Sequence, residues 1–494
     1  MGVIKRQGIK NTLSGYLGIL IGFVNLIVIQ PHFLTKEELG LTRILYSFSL
    51  LVAVFVPLGI GNATLRYFPL FRDEKKNHHG FFSFMNPFPL AGYAAACLLI
   101  FLFKDFILDQ YRRESPLFLE YFDYVFPLVF FTSFINVLTV YCNANLKSTV
   151  PSYLNDIVVR LLTIASVSAY FMKWISLDGF IISFVIVYAI QFSVLLAYIF
   201  SFDRPRFSID WSIFREKRFP ELVRYGLLLW FAGIASLGLK YFDSVMIGKF
   251  MPLEFLGIYT IAAFMPTVIE APLNAFEKIA AAKISYAWSA EDRNQILEIY
   301  RKSTLYMFLL GGWLFLMINC NTEALYSFLP EGYEAGMPVV LIISIGTLFN
   351  MATGLNAPIL FNSDRYRYGA FFLVILAVVL LVLQYFLIPR LGLEGAAWAT
   401  AGASILYNTL LLLSVWRFFG LQPFERKNLT LLLLLMATYS VSFLLPRFEE
   451  PVLSILFISS VLTLIYGGSV HLLGLVPETQ EWLARLSGKS TGKT

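Results

Sequence analysis

At 494 residues, with 58% hydrophobic side chains, 14% charged ones and a mean hydropathy of +0.70, the chain lies outside the range of soluble globular proteins. That composition excludes a water-soluble enzyme and defines a polytopic membrane protein. The net charge of +6 is modest and its basic residues follow membrane topology, which argues against a nucleic-acid partner.

About 20 apolar residues are needed to carry a helix across roughly 30 Å of hydrocarbon, and about fourteen such runs occur. The first half places them at roughly 11–30, 41–65, 81–103, 118–141, 151–172 and 176–200. The second half gives roughly 225–248, 254–282, 302–320, 336–360, 367–388 and 393–416, and an additional pair follows at roughly 428–446 and 452–474. The first run follows Lys5, Arg6 and Lys10 and ends in no small-residue cleavage site, so it reads as a retained span.

The halves repeat one plan. Thr35-Lys-Glu-Glu-Leu-Gly40 and Arg66 map onto Pro252-Leu-Glu-Phe-Leu-Gly257 and Lys283 at one constant offset. Leu177-Asp178-Gly179 matches Leu393-Glu394-Gly395 at nearly the same spacing. The expected fold is therefore all-α, with two six-helix lobes related by repeat symmetry and a C-terminal helix pair. The expected boundaries are an N-terminal lobe at 1–200, an amphipathic linker at 201–224, a C-terminal lobe at 225–420, the helix pair at 421–474 and a tail at 475–494.

With the N-terminus inside, about 27 of the 38 Lys and Arg fall at inward loops and tails, which predicts that both ends are cytoplasmic. The linker, basic from Arg206 through Arg224, and the charged stretch from Ser289 to Arg301 both suit the inner membrane surface. Outward loops are short, the longest being roughly 104–117 and 321–335, and offer no cluster of catalytic groups. No phosphate-binding loop, nucleophile elbow or zinc signature is present, so no cofactor, metal or covalent chemistry is expected. Cys97, Cys142 and Cys320 read as free thiols, and His78-His79 reads as solvated in a charged inner loop.

Ionisable groups inside spans are costly and normally face a bundle interior or a watery cavity. Asp156 and Arg160, four apart, share a helix face, as do Lys240 and Asp243, three apart. Either each pair neutralises itself, or Arg160 and Lys240 line a cavity that attracts an anionic head group. Arg66 and Lys283 close the inner ends of the second and eighth spans. They are either ordinary inner-face anchors or a pair of cations at the mouth of a cleft, with Lys278 a further candidate beside Glu277. Pro57, Gly59 and Gly61 interrupt the second span, and Pro266 and Pro272 the eighth. Breaks in corresponding helices mark the moving or binding elements of a transporter, or else static kinks. Glu270, between the two prolines, is a candidate proton-titrating carboxylate or a buried hydrogen-bonding group.

The Glu-Glu-Leu-Gly40 turn, Leu58-Gly-Ile-Gly61 before Ala-Thr-Leu-Arg66-Tyr-Phe, and Leu391-Gly-Leu-Glu-Gly-Ala-Ala-Trp-Ala-Thr400 add a family likeness. The chain resembles the polysaccharide-repeat flippases of the multidrug/oligosaccharidyl-lipid/polysaccharide exporter superfamily. That resemblance implies two lobes around a cationic cavity, alternating access in the bacterial inner membrane, and an undecaprenyl-diphosphate-linked oligosaccharide as substrate. Implied partners are membrane lipid and polysaccharide polymerase or chain-length machinery. Arg66, Lys283, Lys278, Arg160 and Lys240 would meet the diphosphate, while Asp156, Asp243 and Glu270 would balance charge or couple transport. The alternatives are a cation-coupled drug antiporter of the same superfamily and a membrane-embedded glycan ligase or polymerase. Antiporters commonly carry a carboxylate in the first helix, where this chain has Asn11, Asn25 and Gln30.

Overall fold

The computed structural model describes residues 2–73, 78–203 and 240–475, with Glu221, Arg224, Gly226, Trp230 and Gly233 in between. The expected linker, the first part of the seventh span and the C-terminal tail lie largely or wholly outside these. Among the described residues every element is helical. The principal helices are α1 (Gly2–Phe23), α2 (Lys36–Ala53), α3 (Ile60–Phe71), α4 (Pro87–Leu102), α5 (Val125–Ala144), α6 (Val159–Phe171) and α7 (Leu177–Phe202). They continue as α8 (Phe242–Phe250), α9 (Leu253–Phe264), α10 (Thr267–Ser289), α11 (Arg293–Asn319), α12 (Met337–Thr353), α13 (Tyr366–Phe419), α14 (Arg426–Ser442) and α15 (Pro451–Leu472).

Eight described helices are long and apolar enough to cross a membrane, and the bent pair α9 and α10 makes a ninth. Counting the helices that way does not reach fourteen, for local reasons. The second expected span is cut into α2 and α3, α14 has only 17 residues, α13 runs two expected spans together through a non-helical Gly392, the charged start of α11 keeps it from the count, and the seventh span lies largely outside the described residues. At φ 59° and ψ −132° that position needs glycine, and Pro389 just before it withholds an amide.

The broken second span is a constructed feature. Leu58 and Gly59 both take positive φ, and Gly59 caps α3 in the left-handed conformation. Carbonyls freed by such a break need partners in a membrane interior. Trp230 supplies one, its indole N–H donating to the Val54 carbonyl at 3.2 Å. In the eighth span the break falls at Met265–Pro266, with a 51° bend between α9 and α10. The two breaks differ in register, since the repeat sets Pro57 opposite Asn274 and not opposite Pro266.

Packing divides the chain into two compact units. One comprises Met1–Ile261 with Leu380–Ala396, the other Ala262–Val379 with Ala397–Thr494. In the first, an aromatic core around Phe68, Phe81, Phe82 and Tyr141 joins α3, α5 and α7. In the second, α10, α11, α12, α14 and α15 share a core that includes Ile284, Tyr300, Leu316, Met351, Leu431 and Tyr466. Two indoles bridge helices in that unit: Trp288 donates to the Ile359 carbonyl at 3.1 Å and Trp313 to Thr463 Oγ1 at 2.9 Å.

Candidate functional site: buried cations and their acidic neighbours

In the first unit, α2 begins with a capping box, Thr35 and Glu38 exchanging backbone and side-chain hydrogen bonds at 2.8 and 3.2 Å. The cap fixes the rotation of α2 and so the direction of Arg43 and Tyr46, two turns further on. Arg43 Nε donates to Ser244 Oγ of α8 at 3.3 Å. Tyr46 stacks on Tyr188 of α7 at 5.5 Å and meets Tyr241 edge-on at 6.2 Å. Both Arg43 and Arg160 lie within electrostatic reach of the Tyr46 phenol. Two half-buried guanidiniums thus share the Tyr46 phenol as an electrostatic neighbour. Arg43 was not among the sequence candidates; as the third residue of the run at 41–65 it reads as an end residue, and only its repeat of the helix face of Leu39 could have singled it out as inward-facing.

Arg160 lies on α6, half-buried, and its Nη1 donates to the carbonyl of Gly18 on α1. A side chain at Gly22 would occupy the guanidinium's place, and one at Gly18 would press on Asp156. Gly18-x-x-x-Gly22 is therefore the seat for the Asp156 and Arg160 face, a small-residue spacing that lets membrane helices approach closely. Asp156 also accepts from Ser14 at 3.4 Å and from Asn155 at 3.3 Å. Asp156 acts on Arg160 through charge, while α1 supplies hydrogen-bond partners to both.

The other expected pair is different. Lys240 is exposed in the turn before α8, so it does not share a helical turn with Asp243. Asp243 instead accepts from Tyr259 Oη at 2.6 Å and from Gln384 Nε2. A carboxylate in apolar surroundings takes whichever donors the neighbouring helices present, and here these are on α9 and α13. Arg66 is exposed on α3 with its guanidinium 5.6 Å from the Tyr67 ring centroid.

In the second unit, Lys278 and Lys283 are both exposed on α10. On the same helix Glu270 accepts from Asn350 Nδ2 of α12 at 2.9 Å. Glu277, two turns on, lies within electrostatic reach of both Glu270 and Tyr407. Cys97, Cys142 and Cys320 are free, as expected, and no group of metal ligands occurs among the described residues.

The reading of His78 as solvated is corrected. It is only 5% exposed, its Nε2 lies 3.0 Å from Asp203 Oδ1, and its Nδ1 accepts from the Asp73 amide at 3.1 Å. Tyr141 also donates to Asp203, so one acid ties the loop after α3 to α5 and α7. Tyr121 donates to Asp178 at 2.6 Å. Burial alone pushes the Tyr333 phenol up to about 12.

The described residues thus form a multi-pass helical membrane fold with broken helices, a half-buried arginine on a glycine seat and acids held between helices. Residues 32–324 match the family described as "Polysaccharide biosynthesis protein", and the chain belongs to that family. An uncharacterized membrane protein of Methanocaldococcus jannaschii is 23% identical over 400 residues, 76% of each chain. Among solved structures, the lipid II flippase MurJ in an inward closed conformation aligns with a TM-score of 0.71 at 16% identity, covering 94% of this chain and 99% of its own. An inward-facing multidrug transporter of the MATE family aligns with a TM-score of 0.62 at 13% identity, covering 84% and 98%. The expected all-α membrane fold and polysaccharide family are borne out.

Proposed function

We propose that the chain is a flippase that moves an undecaprenyl-diphosphate-linked oligosaccharide from the inner to the outer leaflet of the bacterial cytoplasmic membrane for cell-surface polysaccharide synthesis. The observation that carries this reading is the pair of half-buried arginines, Arg43 held by Ser244 and Arg160 by the Gly18 carbonyl, that both act electrostatically on Tyr46. Guanidiniums in a medium of low dielectric attract a diphosphate more strongly than exposed ones do, and aromatic rings give sugars a flat apolar face. Arg66 and Lys283, exposed at repeat-equivalent positions, and Lys278 beside them would receive the head group at the cytoplasmic side. Lys240 would contribute a further exposed cation. Rocking of two lobes would then release the substrate outside, with both termini remaining in the cytoplasm. The family description and the MurJ-like fold support transport of a lipid-linked precursor over catalysis.

A second reading, a cation-coupled drug antiporter, is favoured by the placement of Glu270 and Glu277 on one helix beside Asn350 and Tyr407. The two are separated by reconstituting the chain in vesicles and following an undecaprenyl-diphosphate oligosaccharide and a cationic dye in the same preparation. Glycolipid movement that is lost with Arg160→Ala is the expected result. Dye efflux without glycolipid movement would transfer the protein to the antiporter branch.

A further inference from the structure

We infer that the start of α13 carries a lateral binding site for the phosphate of an anionic glycerophospholipid. An open cleft of about 500 Å³ in the second unit is lined by Asp364, Arg365, Tyr366, Arg367, Tyr368 and Phe371. Its walls are fixed by packing. The Arg365 guanidinium lies 5.5 Å from the Phe418 ring centroid, and Tyr368 packs on the same ring at 4.8 Å. Ser363 Oγ accepts from the Arg365 amide at 3.1 Å, and Gly369 sits so close to Phe361 that a Cβ would lie 2.9 Å from its ring. The backbone that presents both arginines therefore has little freedom.

The chemistry selects the ligand. Two guanidiniums against one carboxylate leave a single net positive charge in the cleft, which matches a phosphodiester. A diphosphate would bring a second negative charge toward Asp364. Beyond the arginines, Tyr366, Tyr368 and Phe371 are 41%, 42% and 60% exposed and open onto the apolar run of α13. A soluble phosphate would use none of that surface, whereas an acyl chain would lie along it. Arginine and tyrosine at the end of an apolar helix suit the headgroup level. Assigning the cytoplasmic leaflet rests on the topology proposed above; the site itself does not.

The test is lipid binding to the purified full chain by native mass spectrometry, titrating phosphatidylglycerol beside phosphatidylcholine. At about 1 kcal/mol per basic residue near a charged surface, R365A/R367A should weaken the tightest phosphatidylglycerol by about thirtyfold. D364N, which removes the opposing charge and keeps the fold, should tighten it by about fivefold. R293A/R426A, removing equal charge from exposed positions outside the cleft, should leave it unchanged. Equal binding of phosphatidylcholine overturns the proposal, as does an unaltered affinity in R365A/R367A or D364N. Displacement of the lipid by inorganic phosphate overturns it in favour of a free-anion site, and displacement by a polyprenyl diphosphate in favour of the transported substrate. Binding is read without transport, so failure here leaves the flippase reading standing and failure of translocation leaves this site standing.

Discussion

Gly40 and Gly257 hold matching places in the repeat, and each packs against the carbonyl that opens the other's helix. A Cβ on Gly40 would overlap the Leu253 oxygen, and one on Gly257 the Lys36 oxygen. Lys36 and Leu253 are themselves the first residues of α2 and α9. The sequence repeat is thus written into a reciprocal contact, an approximate local two-fold made possible by two missing side chains.

Because the obstacle at each position is backbone, it cannot swing aside as a side chain would. Gly40→Ala and Gly257→Ala should each cost about 1–3 kcal/mol, read as a lowered unfolding midpoint in detergent or nanodiscs. Gly15→Ala, where a Cβ meets nothing within 4 Å, should stay within about 0.5 kcal/mol of the parent. Equal effects at all three positions would sink the reciprocal-contact account.

The Arg160 seat makes a second prediction, one that separates position from charge. Gly22→Ala leaves the charge intact but displaces the guanidinium, so it should lower glycolipid translocation at least as much as Arg160→Lys does. Arg160→Ala and Arg43→Ala should each reduce the rate by roughly tenfold or more, since losing a charge-assisted contact costs about 1.5–3 kcal/mol. Normal translocation by Arg43→Ala would remove that residue from the substrate path.

How much of this could be read from the chain alone follows from distance along it. Apolar runs, the breaks at Pro57 and Pro266 and the matching Gly40 and Gly257 are local patterns, and the structure keeps them. Partners are not local. Asp243 finds Gln384 across 141 residues and Arg160 finds Gly18 across 142, so helical spacing told only half of each story. It pointed to a charge that Asp156 acts on, and not to the donors that Asp156 or Asp243 finds on other helices. His78 looked solvated because its loop is charged, and nothing adjacent in sequence announces Asp203.

That acid ties three elements, which makes its loss testable as stability. His78→Ala leaves one Asp203 oxygen without its buried donor, and should cost about 1–3 kcal/mol. His79→Ala, at a half-buried position, should cost less. Both are measured as shifts in the unfolding midpoint. Similar values would return His78 to the status of an ordinary loop residue.

Asp243 lends itself to a double-mutant cycle. Tyr259→Phe removes one donor and Gln384→Leu the other, each leaving the carboxylate with fewer hydrogen bonds. Each should destabilise by about 1–3 kcal/mol, and because both act on one acid their combined effect should depart from additivity by about 0.5–3 kcal/mol. Strict additivity would mean that the two donors do not share Asp243. Lys240→Ala, exposed in the turn before α8, should leave stability within about 0.5 kcal/mol.

Glu270 is where a structural role and a coupling role diverge. Its carboxylate accepts from Asn350 at 2.9 Å, and the amide of Glu270→Gln keeps an oxygen for that bond. A purely structural Glu270 predicts that Glu270→Gln transports normally. A proton-carrying one predicts that Glu270→Gln loses the acceleration produced by an imposed pH gradient while its unfolding midpoint is preserved, because the amide cannot gain or release a proton. Asn350→Ala then discriminates further: it removes the partner but not the titratable group, so gradient dependence should persist with an altered pH profile. Glu277→Gln should change the profile less, since Glu277 acts on Glu270 through charge alone. Vesicle translocation measured with and without the gradient reads all three variants, and retention of full gradient dependence by Glu270→Gln would remove this acid from the coupling path.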